Sequence, residues 1–444
     1  MPRPMQIVCH VQFRCAMARR LINERDNLNP AVLGKIEKGG EHMRRTGFTL
    51  LTISLLVLSF GCGGKGGGDT TVNDHAYSVA IQSDGKIIAA GDSYDGAGHR
   101  WSFALSRYNS NGALDGSFGG GGKVLTPLDG GVRAIAVQSD GKIVAAGYNY
   151  DTTFLLLARY NGNGSLDADF GVGGTVLTNM GGAIIAVALQ SDGKIVATAG
   201  VNLVRYNSDG SLSATFGWGG KVIMRDGASS IALQGDGKIV VAGGSRLARY
   251  NGDGSLDTTF GAAGEVITTS PYEQSSGVAL QGDGKIVAAG SSYNGIGSYD
   301  FALTRYEGDG APDTTFAGSG RVVTPVHSLY TLAPTTVIPD AASGKIVAAG
   351  YSSYQFVITR HNRDGSPDMS FVDGGKIITT GYDYWGGVSS SVSDLAVQED
   401  GKIVVVGSSD KGDVKGSDFA LARHNGDGSI DAAFGVNGKV ITGF

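Results

Sequence analysis

Cysteine is almost missing from this chain. The 444 residues hold three, Cys9, Cys15 and Cys62, and none follows residue 62. No disulfide framework therefore holds the bulk of the chain together. Basic charge is not in excess either. The net charge of −5 gives no support to a nucleic-acid partner, which calls for a basic face. Histidines number seven and show no metal spacing, and no nucleophile–base–acid set is legible. A catalytic site assembled from dispersed residues leaves no such motif, so an enzyme is disfavoured rather than excluded. Long apolar runs are scarce as well. The one conspicuous run, residues 48–60, falls short of the about 20 residues that a membrane-spanning helix needs.

Glycine is plentiful, with 73 residues spread through the chain rather than gathered in linkers, and this points to many tight turns. Residues 278–290 explain why. There Val278 and Leu280 alternate with Ala279 and Gln281, as a strand with two unlike faces requires. Ile286 to Ala289 is apolar throughout, which suits a strand buried on both faces. Asp283-Gly284 joins the two runs and predicts a two-residue antiparallel hairpin. The turn recurs at Asp84, Asp140, Asp192, Asp236 and Asp400, and as Ser343-Gly344 in the sixth copy, at intervals of 44 to 60 residues. A third strand ends at Arg107, Arg159, Arg205, Arg249, Arg305, Arg360 and Arg423. Tyr follows each of these, or His361 and His424 in the last two copies. A short fourth strand such as Lys123 to Thr126 closes each unit.

Four short strands cannot bury a core alone, but copies packed side by side can. The expectation is an all-β fold, a seven-bladed β-propeller of four-stranded antiparallel blades over residues 75–444. A parallel β-helix competes less well, since it needs shorter coils and no tight hairpin. The C-terminal strand, Lys439 to Thr442, either completes the seventh blade or joins the first to lock the ring.

Residues 1–42 lack the repeat and read as an unassigned head, with Met43 the expected start of translation. From Met43, two arginines, the apolar run 48–60 and Gly61 precede Cys62. A basic start, a short apolar run and a small residue before the cut form an export signal over 43–61. It resembles a bacterial lipoprotein signal, in which Cys62 is lipidated, although Ser59 stands where Leu is usual. This resemblance implies an exported protein attached to the membrane through a lipidated N-terminus, with residues 62–74 as a Gly-rich tether.

The repeated pattern is seen in Asp283 to Ile286, Phe301 to Tyr306 and Gly254 to Gly261. It is similar to the delta-60 repeat family of bacterial β-propellers. That resemblance implies the fold and supplies no catalytic residues.

Strand direction places the first and third connections of every blade on one face and the second connection and crossover on the other. The first face is uniform. The second is variable and carries Tyr94 and Trp101, Tyr148 and Tyr150, Tyr293 and Tyr299, Tyr351 and Tyr354, then Tyr382, Tyr384 and Trp385, with Tyr272 and Tyr330 between. Rings with a polar tip suit a protein or glycan ligand, and they equally suit packing at the base of long loops. Asn251, Asp253 and Asp257, and likewise Asn425, Asp427 and Asp431, place oxygen ligands beside a glycine and make Ca²⁺ the one candidate cofactor. Ordinary turn chemistry explains the same residues. The repeated Arg has an Asp eight residues later in six copies, and reads either as a brace or as a ligand-binding ring.

Overall fold

The computed structural model describes residues 72–444, apart from 97–99, 151–153, 268–273, 296–297, 329–332, 341–342, 353–354, 381–388 and 412–415. The head, the export segment and Cys62 lie outside the described residues.

Each repeat forms one antiparallel sheet in chain order. Blade 1 is Asn73–Ile81, Ile87–Asp95, Arg100–Tyr108 and Lys123–Thr126, so its first strand begins inside the stretch read as tether. Blade 7 is Ser389–Val397, Ile403–Asp410, Ser417–His424 and Lys439–Thr442. The C-terminal strand pairs with Ser417–His424 of its own blade, so the ring closes without a strand exchange. One parallel pair, Asn73 with Ser417, joins the sheets of blades 7 and 1. First strands pack against first strands of the neighbouring blades all the way round, which places them nearest the axis.

The core is divided among the seams. Ile88, Phe103 and Phe118 of blade 1, for example, pack with Ile135, Ile143 and Leu156 of blade 2. Every seam has such a cluster, including the closing one, where Ala76 and Ile87 meet Val404 and Leu421. The second strands are buried on both faces, as their unbroken apolar runs require.

The first turn differs from the expected two-residue hairpin. Gly85 N–H donates to Gln82 O at 2.9 Å and Gln82 N–H to Lys86 O at 2.9 Å, giving a three-residue loop. Only the glycine has positive φ (Gly85, +81°), while Asp84 Oδ1 accepts from Lys86 N–H at 3.1 Å. The Asp is there for its side-chain acceptor, and the Gly for the left-handed position that follows a type I turn.

Candidate functional site

The repeated arginine is a brace. In six blades its Nε donates to the Asp eight residues on, as Arg249 does to Asp257 at 2.7 Å and Arg305 to Asp313 at 2.6 Å. Its Nη1 donates to a backbone carbonyl of the next blade: Arg107 to Gly162, Arg159 to Ser208, and so on to Arg423, which reaches Ser110 across the closing seam. The guanidinium lies over a Phe ring seven times, from Arg107 on Phe118 at 4.6 Å to Arg423 on Phe434 at 4.5 Å. The turn lysine completes the set, with Lys285 Nζ 2.9 Å from Asp313. Burial raises the Asp313 pKa, but hydrogen bonds from Thr315, Lys285 and Arg305 outweigh it and hold the carboxyl far below its ordinary range. The neighbouring Tyr also ties blades together. Tyr160 reaches Thr126 of the preceding blade at 2.8 Å, and His361 occupies the same place beside Thr324 at 3.1 Å. Burial lowers the His361 pKa to about 4, so it packs as a neutral ring.

The residues of the calcium reading are engaged by the same brace and its turns. Asp257 is taken by Arg249, by Lys238 at 3.2 Å and by Thr259, while Asp253 accepts from Ser255 N–H at 2.9 Å. Asn251 donates to Ser255 Oγ at 3.0 Å. Asn425, Asp427 and Asp431 repeat these contacts with Ser429 and Arg423. Among the described residues no group of three or more His, Cys, Asp or Glu side chains is gathered to hold a metal.

The variable face behaves differently. Tyr94 and Trp101 are cross-strand partners in blade 1, with centroids 4.9 Å apart. Trp101 stacks on Tyr150 of blade 2 at 4.8 Å, and Tyr150 meets Tyr148 edge-on at 5.1 Å. Sequence reading did not single out the residues that complete this cluster. Tyr77 and Arg133, from the first strands of blades 1 and 2, lie face to face at 3.7 Å, and Arg133 donates to the Tyr148 hydroxyl at 3.1 Å. His75 is 6.1 Å from Tyr77 and 6.4 Å from Trp101. The result is a closed circuit of rings and one guanidinium across a single blade seam. Asp92 is buried, at 1% exposure, with Oδ1 3.1 Å from His75 Nδ1. Burial raises the Tyr150 pKa, with Tyr148 adding to the effect, so its hydroxyl stays protonated.

A β-bulge puts Tyr77 and Arg133 there. The register slips between Ala76 and Ser78 and between Val132 and Ala134, and the extra residue is re-aimed. The glycine opposite permits it. A Cβ on Gly147 would sit 1.9 Å from Gly131 O. The residues at this place in chain order are Tyr77, Arg133, Ile185, Ser229, Ser276, Thr335 and Ser393. Only the first two combine size with a polar tip. Comparing the copies column by column would have found them.

Tyr293 and Tyr299 form a second, smaller pair in blade 5, 5.4 Å apart. The structure does not join them to the first cluster. Tyr272, Tyr330, Tyr354, Tyr382, Tyr384, Trp385 and the Tyr351 side chain lie outside the described residues.

One carboxyl departs from its column. The residue after the bulge is small or uncharged in six blades, as with Ser78 and Ala134, and is Asp394 in blade 7. Asp394 Oδ2 accepts from Val79 N–H at 3.0 Å and Ser78 Oγ at 3.2 Å, and Oδ1 from Leu395 N–H at 2.9 Å. Asp394 is half-buried. Even so, the surrounding protein strips enough solvation to push its pKa up to about 7, against the pull of these three bonds.

Among solved structures, the Dos1 propeller aligns over 76% of this chain and 94% of its own, at 10% identity and a TM-score of 0.42. A glucose dehydrogenase aligns over 64% and 96%, at 11% identity and 0.38. The calcium-binding protein regucalcin from Agrobacterium tumefaciens aligns over 70% and 91%, at 16% identity and 0.32. No protein of curated function matches. The profile of one β-propeller family, described as a domain of unknown function, DUF5122, matches seven segments: 82–118, 138–170, 190–216, 234–260, 281–316, 341–371 and 398–434. Each segment runs from just before a first turn to the Phe beneath the bracing arginine, and together they make up just over half of the chain. With its seven copies of the turn, the arginine and the phenylalanine, this chain belongs to the DUF5122 β-propeller family.

Proposed function

We propose that this propeller is an exported, lipid-anchored binding module whose variable face takes a glycan. The observation that carries the reading is the circuit of Trp101, Tyr150, Tyr148, Arg133, Tyr77 and His75 at one seam. The bulge places equivalent to Tyr77 and Arg133 hold small or aliphatic residues in the other blades, so the repeat does not need those two side chains for folding. Broad rings with hydroxyl and guanidinium tips are suited to stacking on a sugar while hydrogen-bonding its substituents. Export and anchoring rest on Arg44, Arg45, the run 48–60 and Cys62.

The test is a glycan array probed with the full chain and with Trp101→Ala and Tyr150→Ala, alongside fractionation of cells expressing Cys62→Ser. Selective binding that both aromatic variants lose, and release of Cys62→Ser from membranes, are the expected outcomes. Binding to nothing, or binding indifferent to both variants, removes the proposal for the face. Membrane attachment unchanged in Cys62→Ser removes it for the anchor.

A hydrolase or lyase with a site at the axis is the second reading, and Asp394 favours it, since a partly accessible carboxyl with a raised pKa is a general-acid candidate. Its bonds to Ser78 and Val79 serve the closing seam and the third stays within its own strand, which is why binding ranks first.

A further inference from the structure

The aromatic cluster on blades 1 and 2 offers its ligand donors. Arg133 Nη2 donates to the Tyr148 hydroxyl at 3.1 Å, and the Tyr148 and Tyr150 hydroxyls lie 3.2 Å apart. A guanidinium cannot accept. The Tyr148 hydroxyl receives from Arg133 and donates to Tyr150, so the O–H of Tyr150 is directed elsewhere. Tyr150, at 38% exposure, is open to solvent. Arg133 is partly exposed too, and its fork has more N–H groups than its tyrosine neighbours use. Among the described residues no carboxylate pairs with it. Asp92, the carboxylate of the cluster, is turned to His75 and closed off from solvent.

We infer that this corner binds an acidic saccharide, with the sugar ring stacked on the Trp101–Tyr150 platform and its carboxylate held by Arg133 and the outward tyrosine O–H. The inference rests on the glycan reading above and narrows it. Stacking on Tyr77 fixes the plane of the guanidinium, and a fixed planar fork matches a carboxylate in two bonds. The net charge of −5 means no broad attraction draws polyanions to this protein. Selectivity for the acid then comes from the corner itself.

Titration calorimetry of the full chain with trigalacturonate and with its fully methyl-esterified form tests this, because the two share rings and stacking faces. The acid is expected to bind about tenfold more tightly or better, as a charge-assisted pair implies. Arg133→Gln should bring the two to parity. Tyr150→Phe, which keeps the ring, should narrow the gap, and Arg133→Lys should keep part of it. Thermal melts matching the parent show that the variants fold. An ester that binds as well as the acid, or a preference that survives in Arg133→Gln, overturns the inference. So does a sulfated disaccharide that binds as tightly as the uronate. If acid and ester bind equally and Trp101→Ala loses both, the glycan reading stands and this narrowing falls. If neither binds, both fall.

Discussion

At the residue scale the seven arginines show how one side chain serves two purposes. Six close their own blade through an Asp, and all seven clasp the next blade through a carbonyl, with a Phe ring beneath. Blade 3 is a natural variant of this device. Ser213 replaces the Asp, and Arg205 is 3.2 Å from Ser213 Oγ. Burial of a guanidinium without its carboxylate lowers the Arg205 pKa, in keeping with an uncompensated charge. The turn lysine follows suit, as Lys194 pairs with Asp192 of its own loop rather than with a brace. Ser213→Asp is therefore expected to stabilise the protein by on the order of 1 kcal/mol, read as a higher urea midpoint at pH 7 with the slope unchanged. A lower midpoint would show that blade 3 has repacked around the serine.

The pairing of Arg and Asp was legible because both residues recur at fixed spacing. The carbonyl of the next blade was not, since a backbone acceptor leaves no trace in residue identities.

At the scale of the element, the strands were legible from alternation and from the apolar second runs, whereas the bulges were not. A bulge adds one residue to one strand, and the only sign is a glycine on the partner where an apolar residue would otherwise continue the run. Gly91 and Gly147 are those signs. Blade 3 shows the contrast. There Ala199 takes the place of the glycine, and the first strand is shorter, Ala186–Leu189, with unbroken register to its partner. Gly147→Ala is accordingly expected to clash with Gly131 O, straighten the first strand of blade 2 and re-aim Arg133. Loss of ligand binding together with a melting point lower by several degrees is the predicted result, the latter from a cost of about 1–3 kcal/mol. Full binding in that variant would mean that the bulge does not set the site.

For the whole molecule, seven seams make the ring and the last must be closed by residues far apart in sequence. Phe444 N–H donates to Asp74 at 2.8 Å, Tyr108 to Thr442 at 2.8 Å, and Asp394 accepts from Val79 at 3.0 Å. Ring size was legible from the number of copies, but the way the ring closes was not, because both closures use the same strands. Asp394 makes this seam sensitive to pH. Its pKa in the fold, about 7, lies above the about 3.9 of an unfolded Asp, so the unfolded chain releases its proton first. Stability on this account falls as pH rises from about 4 to 7 and levels off above. Asp394→Asn, which keeps an acceptor and never ionises, should raise the melting temperature at pH 8 and leave it nearly unchanged at pH 4. Equal shifts at both values would exclude ionisation as the cause.

A crystal structure of the full chain grown with trigalacturonate tests the account most directly. The account predicts a closed seven-bladed ring with a sugar stacked on Trp101 and Tyr150 and its carboxylate on Arg133. Sugar density on the uniform face of the Asp-Gly turns, or at the axis beside Asp394 with the aromatic seam empty, would contradict it.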